Sequence, residues 1–243
     1  MNRFDEADDP RRRLLIRALA GGLIATGWPG GRALAADIFG SRPSKLPAGQ
    51  SIYRIVGKVL VNGNAAAIET RIGANDTVET PPDGEIVFVV GGNAMILRGD
   101  SRLELRAEQK ESMTISGLRL LTGKLLSVSR NRPMRVSTLV ATIGIRGTGF
   151  YLESDPQQTY FCTCYGASEI AANDDRESKE SVVSQHHDKP LYILAGAKPG
   201  QSIRKAPFIN HTDQELMLIE TLVGRTPPFV FPGNDYNAPR RGY

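Results

Sequence analysis

Cys162 and Cys164, one residue apart in Thr159-Tyr160-Phe161-Cys162-Thr163-Cys164-Tyr165, are the two cysteines of a 243-residue chain, and its three histidines, His186, His187 and His211, all follow them. The run around the cysteines reads as a strand, and period-two alternation then puts both thiols on one face. On a flat strand such side chains stand about 6.5 to 7 Å apart, beyond the roughly 3.5 to 4.5 Å Cβ separation of a disulfide, so the pair does not bridge itself without breaking the strand. Two thiolates, His211 and one of the adjacent pair His186 and His187 make a Cys2His2 set. That is the chemistry of tetrahedral Zn(II) or, with fewer ligands, of Cu(I). The spacing fits no standard zinc finger, and adjacent histidines on a strand seldom share one ion. Other readings stay open: small core residues, pairing between chains, or a strained bridge at a bulge. His211 also reads as a helix-flanking residue, and His186-His187 as a loop pair.

Enzymatic alternatives find little footing. The chain has no Gly-x-Ser-x-Gly, no phosphate-binding glycine loop, no His-Glu-x-x-His and no Cys-x-x-Cys-His, so the motifs that organise acyl transfer, nucleotide binding, zinc proteolysis and haem attachment are missing. The expectation is a non-enzymatic protein. A thiol enzyme built on Cys162 or Cys164 has no other residue pattern behind it.

The elements that must position these residues are mostly strands. Tyr53 to Val61, Glu85 to Val90, Ala94 to Leu97, Leu103 to Leu105, Met113 to Ile115, Leu125 to Val128, Met134 to Val140 and Gly149 to Leu152 are short β-rich runs punctuated by Gly, Asn, Asp or Pro. Such spacing suits a sandwich, a roll or an irregular β-solenoid. Ala172 to Lys189 reads as a polar loop or hairpin tip, Pro190 to Ile193 as a strand, and Ala195 to Pro207 as a linker. Thr212-Asp213-Gln214-Glu215 is a capping box. Leu216, Ile219, Leu222 and Val223 follow at helical spacing, Gly224 is placed to cap the C-terminus, and Pro227-Pro228 forbids continuation, which predicts one short helix over 213–223. The tail from Phe229 to Tyr243 reads as extended.

Arg146-Gly147-Thr148 interrupts the apolar run from Val140 to Ile145 and is followed at once by Phe150-Tyr151-Leu152, so Gly147 reads as a turn or bulge needing backbone freedom. Upstream stand Gly57-Lys58-Val59-Leu60-Val61-Asn62-Gly63, Asp76-Thr77-Val78-Glu79-Thr80, Asp100 to Leu105 and Leu120 to Val128, with Val136-Ser137-Thr138 before the Arg-Gly-Thr step. In this order the series resembles the FecR domain, over about Val56 to Ile170. The resemblance implies an all-β FecR-like domain of solenoid, roll or sandwich type, a signalling role, and Arg146, Gly147 and Thr148 as the family's motif turn.

Arg11-Arg12-Arg13-Leu14-Leu15 fits the twin-arginine pattern, and the weakly apolar segment to Trp28 falls short of the roughly 20 apolar residues of a membrane helix. Ala33-Leu34-Ala35 offers a cleavage site after Ala35. The expected organisation is a signal peptide over 1–35, a linker over 36–50, a FecR-like β domain over 51–195 and a C-terminal extension over 196–243, with no transmembrane helix in the mature chain. A cleaved twin-arginine signal implies a bacterial periplasmic protein. Membrane regulators of the FecR type carry a cytoplasmic anti-sigma region ahead of their membrane helix. Only ten residues precede the arginine pair Arg11-Arg12, so direct contact with a sigma factor is not expected, and an envelope or periplasmic protein is the expected partner. Six of the 30 Lys and Arg and four of the 26 Asp and Glu lie before Ala36, leaving a net charge of +2. That is too little to draw nucleic acid.

Overall fold

The computed structural model of the protein describes residues 43–108, 114–129 and 132–229. The chain divides into two compact units, Met1–Pro43 and Ser44–Tyr243, and nearly every described residue belongs to the second. Arg11, Arg12 and Ala35 of the expected signal, Met113, and the tail beyond Phe229 lie outside the described residues.

The described chain is all-β with one short helix. Its strands are β1 (Ile52–Val56), β2 (Leu60–Val61), β3 (Asn64–Ala65), β4 (Thr77–Thr80), β5 (Glu85–Val90), β6 (Asn93–Leu97), β7 (Ser101–Arg106), β8 (Gly117–Ser129), β9 (Met134–Ser137), β10 (Ala141–Ser154), β11 (Gln158–Ala172), β12 (Lys179–Ser184), β13 (Leu191–Leu194) and β14 (Ile203–Lys205), followed by the helix α1 (Asp213–Leu222). They pair in the order β14-β13-β11-β10-β9-β8-β7-β4-β2-β3, with β1, β5 and β6 joined through β6 to β8. Pairing is antiparallel except between β8 and β9. The long strands change partners along their length. The first half of β8 lies against β7 and β9, its second half against β6 and β10.

Both faces of the central strands are buried. Ile86, Phe88, Met95, Leu97, Leu125, Phe150 and Leu152 point into the main core. Their alternates Val87, Ala94, Ile96, Leu126 and Tyr151 form a second cluster with Tyr160, Cys162, Cys164 and Tyr165, closed by Leu216, Ile219 and Leu222 of α1. Two-sided burial is why Ile86 to Val90 and Ala94 to Leu97 are unbroken apolar runs rather than alternating ones. Each of the three helix side chains is at most 1% exposed and contributes about 1.5 to 3 kcal/mol by leaving water.

The helix ends where its caps dictate. The Thr212 hydroxyl accepts from the Glu215 N–H at 3.3 Å, the Glu215 carboxylate accepts from the Thr212 N–H at 2.9 Å, and Gly224 takes φ of 71° beyond the C-cap Val223. Other expectations needed correction. The run read as one strand from Tyr53 to Val61 is two, β1 and β2. Residues 114–116 are not strand, although Ile115 is buried. Part of the polar stretch after Ala172 is β12, which pairs with β11 and buries Val182 while Val183 is 82% exposed. One buried apolar residue among charged neighbours leaves too weak an alternation to read. The segment taken as a linker contains β14.

Of the two readings, turn or bulge, Arg146-Gly147-Thr148 is the bulge, and it lies within one long strand rather than between two. Arg146 pairs with Ala167 and Gly149 with Tyr165, so Gly147 and Thr148 stand opposite the single residue Gly166. Gly147 takes φ of 60°. The Thr148 hydroxyl donates to the Ala167 carbonyl at 2.8 Å and accepts from the Arg146 N–H at 3.1 Å, stitching the bulge shut. Gly147→Ala is expected to destabilise the protein by about 1 kcal/mol, because alanine resists this positive φ. A shift in the urea midpoint at unchanged slope measures it; an unshifted midpoint refutes the requirement.

Candidate metal centre

A second irregularity follows at once. Gly149 pairs with Tyr165 but Phe150 pairs with Thr163, so Cys164 is the extra residue on β11. A bulge re-aims the side chain it carries, and here both thiols stay within the second cluster. The sulfurs of Cys162 and Cys164, one nitrogen of His187 and one of His211 all lie within 4.8 Å of one another. The flat-strand separation of about 6.5 to 7 Å expected for this pair is thus corrected: at the bulge the two sulfurs stand closer than that. Both cysteines are free thiols and fully buried.

The histidines arrive on separate elements. His187 sits in the loop after β12, where the Asp188 carboxylate accepts from the Gln185 N–H at 2.7 Å and the His187 N–H donates to the Cys164 carbonyl at 2.9 Å. His187 takes φ of 54° and Asn210, just before His211, φ of 58°. Left-handed backbone at two such residues is held only where surrounding contacts over-determine it. His211 is 1% exposed and stacks on Tyr151 with centroids 4.5 Å apart.

The hydrogen-bond partners fix which nitrogens are free. His187 Nε2 faces the Asp213 carboxylate at 3.0 Å and His211 Nδ1 faces the Ile209 carbonyl at 2.7 Å. Both partners can only accept, so both of those nitrogens carry hydrogen. The remaining nitrogens, His187 Nδ1 and His211 Nε2, are 3.1 Å apart, and Cys162 Sγ lies 3.5 Å from His187 Nδ1. Two neutral imidazoles would therefore aim lone pairs at each other. The arrangement needs a positive centre between them, a proton or a metal ion. A ligating imidazole whose other N–H is held by a carboxylate or carbonyl is the usual outer-shell pattern of a metal site.

The electrostatics agree with the geometry. Burial opposes ionisation of Cys162, but hydrogen bonds with Cys164, His187 and His211 hold its thiol well below the usual range. Burial and the neighbouring Cys162 push Cys164 well up. For His187, burial acts downward, yet the Asp213 carboxylate and Cys162 lift it to about 9. Asp213 is held down, against burial, by hydrogen bonds from His187 and His186. These directions favour negative charge on Cys162 beside positive charge on His187.

Of the residues singled out in the sequence, Cys162, Cys164, His187 and His211 come together. His186 is turned aside, its Nε2 2.9 Å from Asp213 and its ring against Phe229. Arg146 lies exposed on the bulge. Asp213 was read only as part of the capping box; an acidic residue two positions after a candidate ligand histidine was the available signal. Beside the centre, Arg98 bridges the sheet to the C-terminal segment, bonding Glu215 at 2.6 Å, Tyr151 at 3.2 Å and the Asn210 carbonyl. No sequence pattern marked it.

Residues 76–167 match the family model described as FecR protein. The matched stretch holds the central strands and both cysteines, while His187, His211 and α1 lie beyond it. Two crystal structures of a proposed anti-sigma factor from Parabacteroides distasonis align at 12% identity and TM-score 0.42, over 54% of this chain and 58% of the other. The chain thus spans little more than half of that protein's length. No curated protein shows a significant match. Among the described residues no helix is long and apolar enough to cross a membrane.

Proposed function

We propose that this is an exported, periplasmic, non-enzymatic FecR-type relay module built around a buried Cys2His2 metal centre of Cys162, Cys164, His187 and His211. The observation that carries the reading is the facing pair of nitrogens, each left with a lone pair by an acceptor-bound partner nitrogen. Two soft thiolates and two imidazoles suit Zn(II), or Cu(I) with fewer ligands. Four protein ligands close the site, which favours a structural or sensing ion over a catalytic one. The FecR match supports a signalling role, with an envelope or periplasmic protein as partner, met through Arg146 on its bulge or through strand edges.

Elemental analysis of protein isolated natively without chelator tests the centre. About one equivalent of zinc or copper is expected, with few titratable thiols until denaturation in chelator. Metal-free protein after reconstitution, with an internal disulfide by mass spectrometry, overturns it. The export reading has its own test. Replacing Arg11 and Arg12 by lysine should strand the precursor in the cytoplasm, and the mature N-terminus should be Ala36; normal export of that variant sinks the twin-arginine route.

A further inference from the structure

The centre's ligands come from two sides of a seam. Cys162 and Cys164 belong to β11 within the matched region, and His187 is tied to the Cys164 carbonyl. His211 alone comes from the C-terminal segment 206–224, which lies as a strap over the second face of the sheet and ends in α1. Beneath the strap, Val87, Ala94, Ile96, Leu126 and Val128 are at most 3% exposed. Resting on the metal reading above, we propose that the ion is the lock of this strap: occupancy sets how firmly segment 206–224 covers the apolar second face.

The strap has weaker fastenings of its own. The Tyr160 hydroxyl donates to the Pro207 carbonyl at 3.0 Å, the Asn210 amide donates to Glu153 at 2.8 Å, and Arg98 holds Glu215. These persist without metal, but the facing imidazoles then need a proton in place of the ion. A helix of ten residues is not stable apart from the surface it packs on, so release at His211 and melting of α1 are coupled. Because His211 can complete the ligand set only when the strap is down, the ion must favour the closed state over the open one. Three ligands stay with the sheet when the strap lifts, so at saturating metal the closed-to-open ratio rises by the factor by which His211 tightens the ion's binding. The FecR-type strands keep their own core and are not coupled in this way. Metal occupancy becomes exposure of an apolar sheet face, an output a relay can use.

Hydrogen exchange read by mass spectrometry tests this on the full mature protein, in the zinc-loaded and chelator-treated wild type and in Cys164→Ser, which removes a ligand on β11 and no side chain of the strap. Peptides over 206–222 should exchange at least about tenfold faster in the metal-free wild type, and in the variant with or without zinc, while β10 and β11 keep their protection. Equal protection of 206–222 in a wild type that demonstrably binds zinc overturns the lock and leaves the centre standing. Loss of protection throughout β10 and β11 also overturns it, making the ion a staple of the whole fold. Failure to bind zinc at all removes the centre itself, and is seen in the same samples by elemental analysis.

Discussion

Cys162→Ser and Cys164→Ser should each lower metal affinity by far more than 100-fold, leaving protein that emerges from native isolation without an ion. The proposed ion would need both thiolates, because serine is a hard, weakly acidic ligand where a soft anion is required. A graded effect distinguishes a metal site from a packing site. Asp213→Asn keeps the shape at His187 but removes the carboxylate that orients the ring, and should cost about 10- to 100-fold in affinity. Binding must displace the proton that His187 holds up to about 9, along with the raised thiol proton of Cys164. Apparent affinity should therefore rise with pH, more steeply below about 9, where both protons are displaced, and less steeply above it, where only the Cys164 proton remains. Competition titration with a zinc indicator measures all of this. Wild-type affinity in either cysteine variant contradicts the assignment.

The second large effect lies beside the centre. Arg98→Met should destabilise the protein by about 3 kcal/mol, because a buried ion pair that loses one partner leaves the other without compensation. The Arg98 side chain is 10% exposed and that of Glu215 25%. Burial works against its charge, but Glu215 and Tyr151 hold the guanidinium protonated well above its ordinary range. Removing it also takes the guanidinium from the Tyr151 hydroxyl, which donates to the buried Glu153 at 2.6 Å. Adding Glu215→Gln, which can still serve the capping box, should restore a substantial part of the loss. Urea unfolding of the four proteins of this cycle supplies the coupling. If the single variant matches wild type, Arg98 does not fasten the strap.

What the sequence shows and what it hides follow from the range of the physics. Alternation and capping are local, so the β class, the shared face of the two cysteines and the capping box from Thr212 to Glu215 are all legible. The bulge at Cys164 depends on what β10 places opposite it, and no residue within β11 announces that mismatch. Adjacent histidines look like poor co-ligands on a strand, yet the loop after β12 turns His187 toward the sulfurs and His186 away from them. The meeting of His187 with His211 depends on a strap crossing the sheet, a contact that only tertiary structure defines. Arg98 is missed for the same reason, since its partners Tyr151, Asn210 and Glu215 are remote in sequence. The strand β12 is missed because its outward face carries Lys179, Ser181 and an exposed Val183.

X-ray absorption at the metal edge of the natively isolated protein tests the central claim most directly. A Cys2His2 centre predicts two sulfur scatterers at about 2.3 Å and two imidazole nitrogens at about 2.0 to 2.1 Å for zinc. A first shell of oxygen and nitrogen alone, or no metal in protein whose Cys162 and Cys164 remain titratable thiols, would contradict it.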